Sequence, residues 1–436
     1  MKLVRAASVL AGTTALLLAT AVPSGAHGSP GHGHGLGHGH DPFDPGTVSF
    51  TLDGTVLDAG EQVTSVTLDL DRLPGIRAAS VEPSAFSVRA VGSLPDGVAT
   101  GAPSDVVFDV EREVTDADIT RDGSVRLLLA SGTGAGTLQY LGAEGRNVLL
   151  DLDYTITQDE PIELRNGRDV VIEEFRQGDL VDPEVDAFSS DVTSDGLKYR
   201  LYEPRRARGD RPLVVWLHGN GEGGLPGLYQ NEAQLRANRG ALGFTTPEAQ
   251  RIFGGAYVVA PQVPDTWYNA DEAGYREKLR ALVEELSAEH DIDQSRIHVA
   301  GASAGGLMSI ELVAAYPATF ASLVSVAPAI TLNRDPSYRT DAEEVSRLAD
   351  TPTWFIHSRD DGTVPFDRAT VWAHELVPGS LITLYDSVEW GGQTYSGHWS
   401  WIYLARNAPT ADDGTSVWEW MSQQVRDGEG DTAASR

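Results

Sequence analysis

The segment Gly301-Ala302-Ser303-Ala304-Gly305 constrains this chain more than any other. It follows an apolar run, Ile297-His298-Val299-Ala300, and precedes a helical pattern, Leu307-Met308-Ser309-Ile310-Glu311-Leu312. Strand, tight turn and helix follow in that order, with a serine at the tip. The small flanking residues let the backbone turn sharply enough to lift the hydroxyl clear of a sheet. The helix that starts after Ser303 aims its free N–H groups and positive dipole end where an oxyanion would form. The same string also occurs as an ordinary glycine-rich turn. Its setting between strand and helix makes Ser303 a candidate nucleophile.

The surrounding pattern divides the chain. From 47 to 185 the apolar residues alternate, as in Val48-Phe50-Leu52, Val66-Leu68-Leu70 and Leu150-Leu152-Tyr154-Ile156. Asp53-Gly54, Pro74-Gly75, Asp96-Gly97 and Asp122-Gly123 read as turns between them. Short strands at this spacing predict an antiparallel β-sandwich. This segment has no histidine or tryptophan up to 182 and no catalytic constellation. From 186 to 426, strand candidates (Leu213–Leu217, Tyr257–Ala260, Ile297–Ala300, Leu323–Val326, Thr353–Ile356, Leu381–Tyr385) alternate with helical stretches, notably Tyr275–Glu289 and Leu307–Tyr316. That alternation predicts an α/β fold, a mostly parallel sheet with helices on both faces. Ligand sites on such sheets lie at the carboxyl ends of the strands, where Ser303 falls.

A serine hydroxyl needs a base within reach, and the base needs an orienting carboxylate. In this strand-turn-helix arrangement the chain order is serine, acid, histidine. Three histidines follow Ser303. His357 ends a strand before the acid loop and reads as structural. His374 lies in a helical stretch and reads as a packing residue. His398, in Tyr395-Ser396-Gly397-His398-Trp399-Ser400-Trp401, is the candidate base. The loop His357 to Pro365 offers Asp360 and Asp361, and the D-x-x-V-P spacing selects Asp361. The amide of Ala304 is one candidate oxyanion donor. The second is the amide of Asn220, with Gly219 and Gly221 as neighbours, in the glycine-rich loop His218 to Gly224 that follows an apolar strand. His218 stands on the wrong side of Ser303 for the base and reads as a loop brace. Trp267, Trp390, Tyr395 and Trp399 are candidates for the substrate pocket, although aromatic residues are as readily core.

Net charge is −30, which argues against nucleic acid and anionic membrane surfaces as partners. Absence of cysteine removes disulfides and thiol chemistry. Lys2 and Arg5, the apolar run Ala6 to Val22 and Ser24-Gly25-Ala26 read as a secretory leader over 1–26, cut after Ala21 or Ala26, with no membrane attachment afterwards. Export of a cysteine-free protein fits a bacterium. The stretch 27–46 carries five of the eleven histidines among glycines. It reads as a flexible linker rather than a metal site, because glycines do not preorganise a coordination sphere. The end, 427–436, reads as a disordered tail.

Taken together, the His218–Gly224 loop, Pro261-Gln262 with Trp267, the approach from Asp293 to Gly305, the Asp361 loop and His398-Trp399-Ser400-Trp401 resemble the α/β-hydrolase superfamily. Within it they look like secreted esterases and prolyl-oligopeptidase-like predicted peptidases, some of which carry an immunoglobulin-like domain ahead of the hydrolase domain. The resemblance covers about 188 to 425; the β-rich segment matches by arrangement. It implies an acyl-enzyme mechanism with Ser303 as nucleophile, His398 as base and Asp361 as acid, without metal or organic cofactor. It implies a small or polymeric ester as substrate, with a peptidase or polyester depolymerase as alternatives. A non-enzymatic alternative is a module in which the β-segment grips a polymer or cell surface. Gly223-Gly224 departs from the group, which often has arginine followed by glycine there.

Overall fold

The structure, a computed structural model, describes residues 43–73, 75–98, 104–205 and 209–426. The expected leader, nearly all of the histidine-rich stretch and the tail from 427 lie outside the described residues.

The first half folds into facing sheets. Strands β1 (Thr47–Leu57), β2 (Gly60–Leu68), β3 (Phe86–Ser93), β4 (Val106–Arg112), β5 (Val114–Ile119), β6 (Val125–Leu129), β7 (Leu138–Leu141), β8 (Arg146–Leu149) and β9 (Asp151–Gln158) are followed by a two-strand ladder, β10 (Ile162–Glu163) with β11 (Asp169–Val170), and by β12 (Glu174–Val181). One sheet runs β12-β1-β2-β6-β5 and another β4-β3-β9. The alternation seen in the sequence buries Phe50, Leu52, Val66 and Leu127 of the first against Phe86, Val88 and Ile156 of the second. Pairing is antiparallel except at β1·β12, which is parallel. Asp53-Gly54 is not a turn. It is an irregularity inside β1, where the register to β2 shifts; the chain reverses between β1 and β2, at Asp58-Ala59. A Cβ at Gly54 would stand 2.8 Å from Glu61 Oε1, so a bare backbone is needed where that side chain crosses.

The second half builds one sheet from β13 (Phe188–Val192), β14 (Lys198–Tyr202), β15 (Arg211–Leu217), β16 (Tyr257–Gln262), β17 (Ile292–Ala302), β18 (Ser322–Val326), β19 (Thr353–Ser358) and β20 (Leu381–Tyr385). Its order is β13-β14-β16-β15-β17-β18-β19-β20. The six strands from β15 onward are parallel, and β13 and β14, not anticipated from the sequence, add an antiparallel edge. Along β15, Leu213, Val215 and Leu217 face the helices Tyr275–Glu289 and Ala304–Ala315. Val214 and Trp216 face Phe244, Phe253 and Trp418 on the other side. Continuous apolar strands follow from burial on both faces. The chain leaves β15 toward β16 on one side and returns as β17 on the other, and a crevice opens at such a switch point.

The described residues of both halves belong to one compact unit. Buried Arg236 pairs with Glu61 of β2, and Arg239 takes the Glu184 carboxylate with its two terminal guanidinium nitrogens, each at 2.7 Å.

Two glycines of the elbow are fixed by steric contact. A Cβ on Gly305 would overlap the carbonyl oxygens of Leu217 and His218, and one on Gly301 would overlap the carbonyl of Gly305. Neither contact involves a flexible side chain. We expect Gly305→Ala to cost at least about 3 kcal/mol, because backbone must move in a packed core. Denaturant unfolding followed by tryptophan fluorescence measures this; an unchanged midpoint would contradict the close crossing.

Candidate active site

Ser303 caps the helix Ala304–Ala315 with φ 56° and ψ −116°. A non-glycine residue at positive φ costs about 1–3 kcal/mol and needs surrounding bonds to hold it. Here the Ser303 N–H donates to Val326 O at 2.9 Å, while its carbonyl accepts from Ala329 and Leu307 at 2.9 and 3.0 Å. The side chain is thereby lifted off the carboxyl end of β17.

Asp361 comes from the loop after β19. His398 comes from a short helical turn, Gly397–Trp399, beyond β20 and the hairpin β21 (Val388–Trp390) and β22 (Gln393–Tyr395). The structure brings these two to Ser303. His398 Nε2 lies 2.9 Å from Ser303 Oγ, and His398 Nδ1 lies 2.7 Å from Asp361 Oδ2. Asp361 is buried, and Thr363 and Val364 donate their amides to its Oδ1 at 2.7 and 2.9 Å. His357, read as structural from the sequence, supplies a second imidazole to the same carboxylate, with Nε2 2.8 Å from Oδ2. Its Nδ1 meets Thr370 Oγ1 at 2.6 Å. Burial favours the neutral carboxyl of Asp361, but the hydrogen bonds from His357 and His398 outweigh it and hold the group well below the usual carboxylate range. Burial also pushes the His357 imidazole down, against the pull of Asp361. His357 therefore donates as a neutral ring with Nε2–H, and Thr370 donates to its bare Nδ1. An ionised Asp361 likewise sets His398 with its proton on Nδ1, leaving Nε2 free to accept from Ser303.

Asp360 faces the other way. Its carboxylate accepts from Ser358 Oγ and packs on Gly397, where a Cβ would overlap it. Gly397 is needed for that close approach; it is not at positive φ.

The loop after β15 closes the other side of Ser303. A Cβ on Gly219 would stand 3.8 Å from Ser303 Cβ. Asn220 and Ala304 each begin a helical turn, so neither amide has an acceptor within its own turn. The Asn220 side chain accepts from Thr266 Oγ1 at 2.7 Å. His218 is fully buried, and burial pushes its imidazole down to about 4. It braces the loop: Nδ1 meets Gly219 O at 2.6 Å, and its carbonyl accepts from Trp267 Nε1 at 2.9 Å. Trp267 is thus a correction. It is 2 % exposed, packed at a tilt on His218 and edge-on to Tyr275, and its neighbour Tyr268 lines the cavity instead. Trp390 is a second correction, since it packs on Tyr403 and borders a separate hollow at the hairpin tip. Trp399 does line the Ser303 cavity, together with Trp401, whose ring stands edge-on to His398 at 5.4 Å. His374 bonds Ser380 Oγ at 2.8 Å and stays clear of the cavity.

That cavity measures ≈ 740 Å³. One wall comes from the β-rich half, through Leu138, Tyr140 and Asn147. Arg146 fastens this wall by donating to the carbonyls of Gly224 and Asp265 at 3.3 and 2.8 Å. Asn147 donates to Glu222 Oε1 at 3.2 Å, and burial pushes the Glu222 carboxyl up. Sequence reasoning found no role for these residues.

Glu311 sits on the same helix as the nucleophile, 3.6 Å from Arg276. Burial and then the Glu344 carboxylate push its carboxyl from the ordinary 4.5 up to about 8, against the pull of Arg276. Between those values the folded protein holds a proton that the unfolded chain has released, so the fold is favoured at acid pH and loses that support as pH rises through 8. We expect stability to drop by on the order of 2 kcal/mol between pH 6 and 9 and Glu311→Gln to flatten most of that drop. Urea titrations at both pH values check it; equal slopes in the two proteins would contradict it.

Residues 276–340 match the prolyl oligopeptidase family. A probable carboxylesterase of Oryza sativa subsp. japonica is 30% identical over 174 residues, which covers 37% of this chain and 72% of that protein. Poly(3-hydroxyalkanoate) depolymerase C of Paucimonas lemoignei is 31% identical over 129 residues, 27% of each chain. The solved structure of a thermostable esterase superposes with TM-score 0.69 at 24% identity, over 87% of this chain and 100% of that one, and so shares the fold of both halves. On this combination of sequence kinship and fold, the chain belongs to the α/β-hydrolase superfamily, among its esterases and prolyl-oligopeptidase-like hydrolases.

Proposed function

We propose that the protein is an exported serine carboxylesterase working through an acyl-enzyme. The reading rests on the hydrogen-bonded run from Ser303 Oγ through His398 to Asp361. His398 Nε2 takes the hydroxyl proton as Ser303 Oγ attacks the ester carbonyl. Asp361, ionised throughout the working pH range, holds the imidazole in register and offsets its positive charge. His357 adds a neutral donor that steadies the carboxylate without a second cation. The oxyanion is received by the amides of Ala304 and Asn220, pre-aimed by their helical turns. His398 then gives its proton to the departing alcohol, and the collapsing intermediate leaves the acyl group on Ser303. Water repeats the sequence, with His398 as base, and releases the acid.

A peptidase reading has one supporting observation, the prolyl oligopeptidase family match over the segment that carries Ser303. An amide leaving group demands closer placement of protonated His398, so a panel of esters and matched peptide amides of graded acyl length separates the two. Ester turnover at least about 10²-fold faster than amide turnover is expected, with labelling of Ser303 by a fluorophosphonate. An enzyme that cleaves only amides, or no label on Ser303, would overturn the esterase reading. The leader and the export it implies are tested by sequencing the N-terminus of protein recovered from culture medium; residue 22 or 27 should come first.

A further inference from the structure

Among the residues lining the Ser303 cavity, Arg334 is the one lysine or arginine. It stands at the tip of a tight turn in which Leu332 and Asp335 exchange backbone hydrogen bonds at 3.0 and 3.1 Å. Asn333 fixes that turn to the acid loop. Its amide donates to Thr363 O at 2.9 Å, and its side chain donates to Asp361 O at 3.4 Å. Arg334 is therefore held at a set place beside the triad. Its guanidinium has no hydrogen bond and no ion pair among the described residues. The adjacent acid, Asp335, is already taken by Arg339 at 2.8 Å and by Ser337. The acids that share the cavity are engaged elsewhere: Glu61 by Arg236, Asp58 by Arg406, Glu222 by Asn147.

Tyr268 lines the same cavity. Its ring lies under Arg339, 4.9 Å from the guanidinium carbon, and its hydroxyl makes no hydrogen bond among the described residues. Burial pushes that hydroxyl up, against the pull of Arg339 and Arg334. A guanidinium and a hydroxyl with no hydrogen-bond partner among the described residues thus belong to two residues lining the cavity that holds the nucleophile. A guanidinium fork with a second donor suits a carboxylate. In a chain of net charge −30, an uncompensated arginine on the cavity lining offsets the general repulsion of an anionic substrate there.

We infer that the preferred substrates are esters bearing a free carboxylate, which Arg334 and the Tyr268 hydroxyl receive while the ester carbonyl meets Ser303. This rests on the esterase reading above and names the substrate class. The carboxylate is carried either by the acyl part, as in a dicarboxylic acid monoester, or by the alcohol part, as in an acylated hydroxy acid.

The test compares matched pairs. On the acyl side, mono-4-nitrophenyl glutarate is set against 4-nitrophenyl valerate. On the alcohol side, 4-butyryloxybutanoate is set against pentyl butyrate, with acid release followed by pH-stat. Rates are corrected for the Ser303→Ala background, and the readout is the anionic-to-neutral ratio of kcat/KM. In the arm that matches the natural substrate, Arg334→Ala should lower the ratio about tenfold, Arg334→Lys less, and Arg334→Glu more. Tyr268→Phe should lower it severalfold. Raising salt from about 0.05 to 0.5 M should compress the wild-type ratio, since Arg334 is exposed. A ratio in both arms that neither salt nor any Arg334 variant changes overturns the inference. Wild-type enzyme that turns over no ester at all would instead remove the esterase reading beneath it.

Discussion

Ser303→Ala is expected to lower ester turnover by about 10⁴-fold or more while leaving the folded protein intact. The hydroxyl is the group placed 2.9 Å from His398 Nε2, and no other hydroxyl touches that nitrogen among the described residues. Alanine keeps the Cβ at the strained φ of 56°, so the elbow backbone bonds to Val326 and Ala329 persist. What survives is background from the oxyanion donors and from binding. Turnover of 4-nitrophenyl butyrate together with the unfolding midpoint measures both halves of the expectation. Wild-type rates in the variant would remove Ser303 from the chemistry.

Asp361→Asn is expected to cost about 10³–10⁴-fold in kcat, while Asp360→Asn stays within a few-fold. Asp361 Oδ2 receives N–H groups from two imidazoles, and Oδ1 receives two amides. An asparagine has only one oxygen. If its NH2 takes the Oδ2 place, it confronts His357 and His398 donors, and His398 turns its proton toward Ser303, where it can no longer act as base. If the NH2 takes the other place, it confronts Thr363 and Val364. Either arrangement leaves buried donors unpaired, at about 1–3 kcal/mol each. A lower denaturation midpoint should therefore accompany the lost activity. Asp360 contacts Ser358 and Gly397 and neither imidazole. Equal losses from the two substitutions would show that the carboxylate's identity does not matter.

The elbow was legible because its glycines answer to backbone crowding, which leaves no alternative side chain at 301 or 305. Asp361 and His398 were legible because each sits in a loop at a strand's carboxyl end, in an order few residues satisfy. The cavity wall was not legible. Leu138, Tyr140 and Asn147 come from two four-residue strands paired with each other, seated by bonds that reach some 75 to 80 residues on, as in Asn147 with Glu222 and Arg146 with Gly224. Nothing in the local pattern encodes such a reach. Trp267 and Tyr268 are adjacent, and composition cannot tell which of the pair turns inward; burial and the bond to His218 decide it. His357 was set aside as structural because a histidine closing a strand looks like packing, and only its distance to Asp361 reveals a shared carboxylate.

That sharing bears on motion during the cycle. Were the base the acid's one donor, any shift of its ring would leave a desolvated anion unpaired. Here the anion keeps its other three donors, from His357, Thr363 and Val364, whatever the ring at 398 does. His398 rides on a short turn beyond the last strand of the sheet, whereas the acid is anchored by its own loop and by His357, so its charge stays compensated independently of the base.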